Sequence, residues 1–169
     1  MKRILDNYPD AQTHYLGIAE GGVYIVPTAV TTVLGSCVSA TFFCPHTHIG
    51  GTFHALLPRE RDFKEKGTIV PYRYVDTAIA AVLDEMEDIG VRMGSLQCKV
   101  FGGGSGLING EVGTGRRNVQ TAFDVLEARR IRVLASSVGG VFGRKLLFIS
   151  STGDVYIKRL NATACHPRP

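Results

Sequence analysis

The chain has 169 residues, 44% of them hydrophobic and 20% charged, with a formal net charge of +4. That length suits one domain with its own core, which argues against a disordered chain or a miniature scaffold held by disulfides. No apolar run reaches the ~18 residues of a membrane span, and Met1-Lys2-Arg3-Ile4-Leu5-Asp6 turns polar too soon for a secretory signal, so a cytoplasmic protein without membrane insertion is expected.

Residues 14–57 read as a series of strands. Val23 to Val26, Ala29 to Leu34, Val38 to Phe43 and Ile49 to Leu57 are short, rich in β-branched or aromatic residues, and punctuated by Gly or Pro. Residues 59–68 form a charged stretch without periodicity, a candidate flap. Pro71 then opens a helix with Val75, Ile79, Val82, Leu83, Met86 and Ile89 on one face, ended by Gly90. Gln97 to Phe101 is a strand running into the glycine run at 102–106. A second helix from about Gly115 to Arg130 buries Val119, Ala122, Phe123 and Leu126. Strands at Arg132 to Ser136, Lys145 to Ile149 and Val155 to Leu160 close the chain, the last two joined by the turn Ser151-Thr152-Gly153-Asp154. The pattern predicts one domain over 1–169, with its core at about 14–160, a polar tail at 161–169, and an α+β layered sandwich.

The basic residues lie in small groups: Arg116-Arg117, Arg129-Arg130 with Arg132, and Lys158-Arg159. Nucleic-acid binding calls for a denser stripe with interleaved aromatics, so no nucleic acid is expected and these groups read as solvated helix ends. Cys37, Cys44, Cys98 and Cys165 form no CxxC and no regular framework, and are read as free thiols.

One thiol stands out through a hairpin. With Cys44-Pro45-His46-Thr47 as a four-residue loop, Val38 to Phe43 and Ile49 to Leu57 pair so that Val38, Ala40 and Phe42 oppose Phe53, Gly51 and Ile49 on an apolar face. The other face then sets Cys37 opposite His54, at a separation that a thiol and an imidazole can span. A one-residue slip would send His54 to the apolar side. Such a histidine takes the thiol proton, and the resulting ion pair lowers the cysteine's pKa, which makes a nucleophile. Backbone N–H groups near Gly35-Ser36 are placed to receive an oxyanion. The bland alternative is a buried cysteine beside a structural histidine.

Thr31-Thr32-Val33-Leu34-Gly35-Ser36-Cys37-Val38, followed by Gly50-Gly51-Thr52-Phe53-His54-Ala55-Leu56-Leu57-Pro58, resembles the CheD family of chemoreceptor glutamine deamidases. The resemblance continues through Lys99-Val100-Phe101-Gly102-Gly103-Gly104, Gly115-Arg116-Arg117-Asn118-Val119, Gly139-Gly140-Val141-Phe142-Gly143-Arg144-Lys145 and Thr152-Gly153-Asp154-Val155. It implies an α/β/β sandwich with two main helices packed on mostly antiparallel sheets, similar to the cytotoxic necrotising factors. It also implies hydrolysis of protein glutamine amides to glutamate with release of ammonia, and no cofactor or metal. The family's nucleophile falls on Cys37 and its histidine on His54. Its threonine falls on Thr31, which orients the site or the substrate amide. The implied partners are chemoreceptor cytoplasmic helices as substrate and a CheC-type phosphatase. Ser136-Ser137, Val141 and Cys44 depart from the family pattern, away from the cysteine and histidine.

Rival readings are narrower. Cys44-Pro45-His46-Thr47-His48 could be a metal site, against an unbound loop. The glycine run lacks the Lys-Ser/Thr of a phosphate loop, and Leu107 breaks GxGxxG. Cys98 is expected in the core and Cys165 exposed in the tail, while His14 and His166 have no evident partner. A different class of function is a non-catalytic module that regulates a CheC-type phosphatase.

Overall fold

The structure is a computed structural model that describes residues 1–63, 70–105 and 113–160. In chain order the elements are α1 (Lys2–Leu5), β1 (Gln12–Tyr15), β2 (Glu20–Tyr24), β3 (Thr28–Leu34), β4 (Val38–Cys44) and β5 (Ile49–His54). They continue with α2 (Val75–Asp88), β6 (Gln97–Gly102), α3 (Thr114–Ala128), β7 (Val133–Val138), β8 (Gly143–Ile149) and β9 (Val155–Leu160). One sheet runs β1-β3-β8-β9 and the other β2-β5-β4-β6-β7. β1 with β3 and β6 with β7 pair parallel, and the remaining neighbours pair antiparallel.

Three apolar layers follow from these faces. Val38, Ala40 and Phe42 of β4 pack against Val75, Ile79, Val82 and Met86 of α2 and against Ala122 and Leu126 of α3. Between the sheets, Leu16, Val30, Leu34, Phe101, Leu146 and Phe148 form a second layer, which includes Cys37. On the outer side of the first sheet, Ala29, Leu147 and Ile149 are covered by Ile4, Leu5 and Tyr8 from α1 and its following turn. The α+β layered reading holds, with α2 and α3 on one side of two stacked sheets.

Every residue of β4 is buried, because helices cover one face and the other sheet covers the opposite face. The second face of the hairpin is therefore polar but not wet: Ser39 Oγ lies 3.1 Å from Thr52 Oγ1, which donates to the Ala40 carbonyl. Such bonds offset the cost of taking hydroxyls out of water. α2 begins at Val75 rather than at Pro71, and Ile89 is exposed rather than on its buried face. Gly90 ends the helix at φ +87, with Val91 N–H bonded to Met86 O at 2.9 Å. β1 and α1 lie where the pattern showed no separate element. Cys98 is in the core. Residues 64–69 of the expected flap, Gly106 and Leu107 of the glycine run, and the tail with Cys165 and His166 lie outside the described residues.

Candidate active site

The hairpin forms, but two residues out of the expected register. Thr41 pairs with Thr52, Phe42 with Gly51 and Cys44 with Ile49, and the bridge from Val38 to Ala55 extends the same alignment. The loop is Pro45–His48: Cys44 stays in the strand as a buried pairing residue, and His48, at φ +55, closes the turn. His54 thus lies across from Ser39, and Cys37 falls just beyond the last rung, Val38 with Ala55. A shift of two keeps each side chain on its face, because strand side chains alternate with period two. Cys37 and His54 remain on the side that faces the other sheet, no longer directly opposed.

That side is not the surface. His54 is 3% exposed and Cys37 is 7% exposed. The imidazole is tied to the opposite sheet: Thr32 Oγ1 lies 2.8 Å from His54 Nδ1 and 2.8 Å from the Leu16 carbonyl. A carbonyl only accepts, so the single hydroxyl proton of Thr32 goes to Leu16. Thr32 Oγ1 must then accept from His54, which places the ring proton on Nδ1. Nε2 is left with its lone pair, buried and without a hydrogen-bond partner among the described residues.

Thr31 goes the other way. Val30, Thr32 and Leu34 face the inter-sheet layer, so Thr31 projects from the outer face, where its hydroxyl is 3.5 Å from the His14 carbonyl. The structure brings Cys37, His54 and Thr32 to one layer and sets Thr31 on the opposite side of β3.

Burial also alters the expected electrostatics. The Cys37 thiol is pushed up to about 11 by desolvation, with its own backbone N–H opposing the shift. His54 is held below its ordinary value, mainly by burial, against opposing contributions from the Leu16 carbonyl and the Glu20 carboxylate. Glu20 sits directly across from His54 on β2, and its Oε2 accepts from Gly17 N–H at 2.7 Å. Both shifts favour a neutral thiol and a neutral imidazole over the thiolate–imidazolium pair expected from the sequence. In so dry a layer, separated charge lacks the solvation that an ion pair needs.

Backbone geometry around the cysteine is unusually constrained. Gly104 N–H donates to Gly35 O and Gly103 N–H donates to Cys37 O, both at 2.8 Å. Asn118, fully buried on α3, donates from Nδ2 to Ser36 O at 3.0 Å and to Leu56 O at 2.9 Å. Three successive carbonyls are thus held from outside the loop. Among the described residues, the N–H groups of Ser36 and Cys37 make no backbone hydrogen bond, and that of Cys37 lies against its own sulfur. Gly102 sits at φ +108, and a Cβ there would come 2.1 Å from Cys37 O, so only glycine fits this crossing.

Arg144, 1% exposed, reaches from β8 to Ser137 on β7. It donates from Nε to Ser137 Oγ at 3.1 Å and from Nη2 to Gly139 O at 2.7 Å. It ties the two sheets at the end of the sandwich that holds Cys37, since Arg144 pairs with Leu34 just before the Gly35–Cys37 loop. Sequence reasoning left Asn118 and Arg144 without roles. A poor helix former inside a helix, as Asn118 is, was the signal available.

His48 Nδ1 lies 3.1 Å from the Ser151 carbonyl, and Cys44 is buried beside Ser95. Among the described residues no group of His, Cys, Asp or Glu side chains is arranged to hold a metal ion. Nor is any described helix long and apolar enough to cross a membrane.

Residues 56–159 match the family described as CheD chemotactic sensory transduction, a span that begins just after His54. A probable chemoreceptor glutamine deamidase CheD of Maridesulfovibrio salexigens is 41% identical over 91% of this chain and 95% of its own length. A probable chemoreceptor glutamine deamidase CheD 2 of Geobacter sulfurreducens is 42% identical over 92% of this chain and 95% of its own. The likeness extends to an archaeal relative, a probable chemoreceptor glutamine deamidase CheD of Pyrococcus abyssi, 38% identical over 75% of this chain. With such identity running nearly from end to end, the chain belongs to the CheD family.

Proposed function

We infer that this chain is a protein-glutamine deamidase acting in the cytoplasm on chemoreceptor helices, with Cys37 as nucleophile and His54 as base. The observation that carries the reading is the chain of contacts from Leu16 O through Thr32 Oγ1 to His54 Nδ1: with Thr32 donating to Leu16, the ring proton sits on Nδ1, and Nε2 presents a lone pair in the layer that contains Cys37. Family membership supports the substrate class through the names of the relatives.

The chemistry follows from neutral groups. As Sγ attacks the carboxamide carbon, its proton passes to His54 Nε2. The carbonyl oxygen takes the negative charge and accepts from the Ser36 and Cys37 N–H groups. Collapse of the tetrahedral intermediate breaks the C–N bond, and the proton on Nε2 leaves with the ammonia. His54 then deprotonates a water that attacks the thioester. The carboxylate departs and the thiol regains its proton. Thr32 takes the orienting role that the resemblance assigned to Thr31, while Thr31 lies on the outer surface of the sheet.

Mass spectrometry of a chemoreceptor cytoplasmic fragment incubated with the protein tests this. The parent chain converts glutamine to glutamate with release of ammonia, and Cys37→Ala does not. A second reading, a binding module for a CheC-type phosphatase without catalysis, draws on the burial of Cys37. Unchanged receptor glutamines in the presence of parent protein, together with retained phosphatase binding, would select it.

A further inference from the structure

The last regular rung between β4 and β5 is Val38 with Ala55, whose N–H and C=O groups exchange bonds at 3.0 and 2.9 Å. Beyond it the chains part. Leu56 and Leu57 turn their N–H groups to Arg73 O, and the other chain becomes the Ser36–Cys37 loop. Among the described residues, the side chain that spans this gap is Asn118, with Nδ2 donating one proton to Ser36 O and one to Leu56 O. α3 lies close enough to do this because Gly115 and Gly103 meet backbone to backbone: a Cβ on Gly115 would come 2.7 Å from Gly103 O. The same glycine segment binds the carbonyls on either side, Gly35 and Cys37.

We propose that Asn118 is a positioning residue for catalysis, setting the Ser36–Cys37 peptide so that its N–H, beside that of Ser36, forms the oxyanion pocket. The inference rests on the deamidase reading and deepens it. Asn118 touches no reacting atom. It approaches from the helix side of the sheet, whereas the Cys37 side chain faces the inter-sheet layer. Its effect passes through one peptide plane: with Ser36 O drawn toward the helix, the Cys37 N–H of that plane points the opposite way. With the carbonyls of 35, 36 and 37 each bonded outside the loop, rotation of that plane is resisted from three directions.

The test separates acyl chemistry from thiol access. Asn118→Leu keeps the branched shape and removes the donor, and Asn118→Ser keeps one hydroxyl donor in case the leucine form does not fold. Deamidation of a recombinant chemoreceptor cytoplasmic fragment gives kcat and KM, and iodoacetamide alkylation of Cys37 reports a displacement that needs no oxyanion pocket. For each variant whose circular dichroism and melt match the parent, kcat falls with KM unchanged, by about 100-fold in the leucine form. Alkylation of Cys37 stays within about threefold of the parent. The serine form loses less than the leucine form. Deamidation within threefold of parent in a folded variant, or equal losses of deamidation and alkylation, overturns the role of Asn118 while leaving the deamidase reading intact. A parent protein that fails to deamidate the fragment overturns both.

Discussion

Thr32 and His54 are 22 positions apart in sequence and sit on different sheets, yet Oγ1 of one lies 2.8 Å from Nδ1 of the other. This bond crosses the sandwich and couples the fold to the chemistry. It selects the ring tautomer and fixes the ring plane, and Thr32 can do so because it passes its own proton to Leu16 O.

Removing that hydroxyl at constant shape should therefore cost activity. Thr32→Val is expected to lower kcat by about 10- to 100-fold, since the general base loses its orientation and its preferred tautomer. Thr32→Ser should keep most of the rate, and Thr31→Val should change kcat by less than Thr32→Val. Steady-state ammonia release compares the three variants. A larger loss at Thr31 than at Thr32 would refute the assignment.

The protonation states predict how the thiol responds to pH. With Cys37 pushed up to about 11, the alkylation rate should climb through neutral and alkaline pH with no plateau near neutrality. A preformed ion pair would instead react at a pH-independent rate from mildly acidic pH upward. Stopped-flow alkylation between pH 5 and pH 10, set against the Cys37→Ala background, distinguishes the two.

Stability should depend on His54 in acid. Its folded pKa lies below the ordinary value of 6.5, so the unfolded ring binds a proton that the folded ring refuses. The contribution is present above about 6.5 and is lost as pH falls through the folded pKa. Cys37 acts at the other end: its raised pKa contributes stability below its ordinary value of 9.0, lost as pH rises toward about 11. Urea midpoints of the parent should fall below pH 6.5 more steeply than those of His54→Gln. Parallel curves would contradict the buried neutral imidazole.

Gly102→Ala tests the crossing beneath the nucleophile. The left-handed φ costs roughly 1–3 kcal/mol in a residue with a Cβ, and the overlap with Cys37 O adds to it. A lower melting temperature is expected, with near-complete loss of deamidation, because the atom displaced belongs to Cys37 itself. Gly94→Ala, where a Cβ meets nothing within 4 Å, should leave activity unchanged.

Much of the architecture was readable along the chain. Period-two runs placed β3 to β6 and the closing strands to within a few residues, and helical spacing found most of the buried face of α2 and, of α3, Ala122 and Leu126, while Val119 and Phe123 are half-buried. The cysteine and histidine were put on one face of a hairpin by parity alone. Parity could not separate a register from another two residues away, which is why His54 faces Ser39 rather than Cys37. The choice was made by Cys44 remaining in the strand and by Pro45–His48 forming the turn.

What the linear pattern determined, then, was which side chains share a face, because alternation and helical spacing are local properties of the backbone. The tertiary structure decided what lies over that face. A second sheet drawn from both ends of the chain buries Cys37 and His54, favours their neutral forms, and brings Thr32 rather than Thr31 to His54. Asn118 reaches Ser36 across 82 positions for the same reason: burial and hydrogen bonding between distant segments arise only when the layers close.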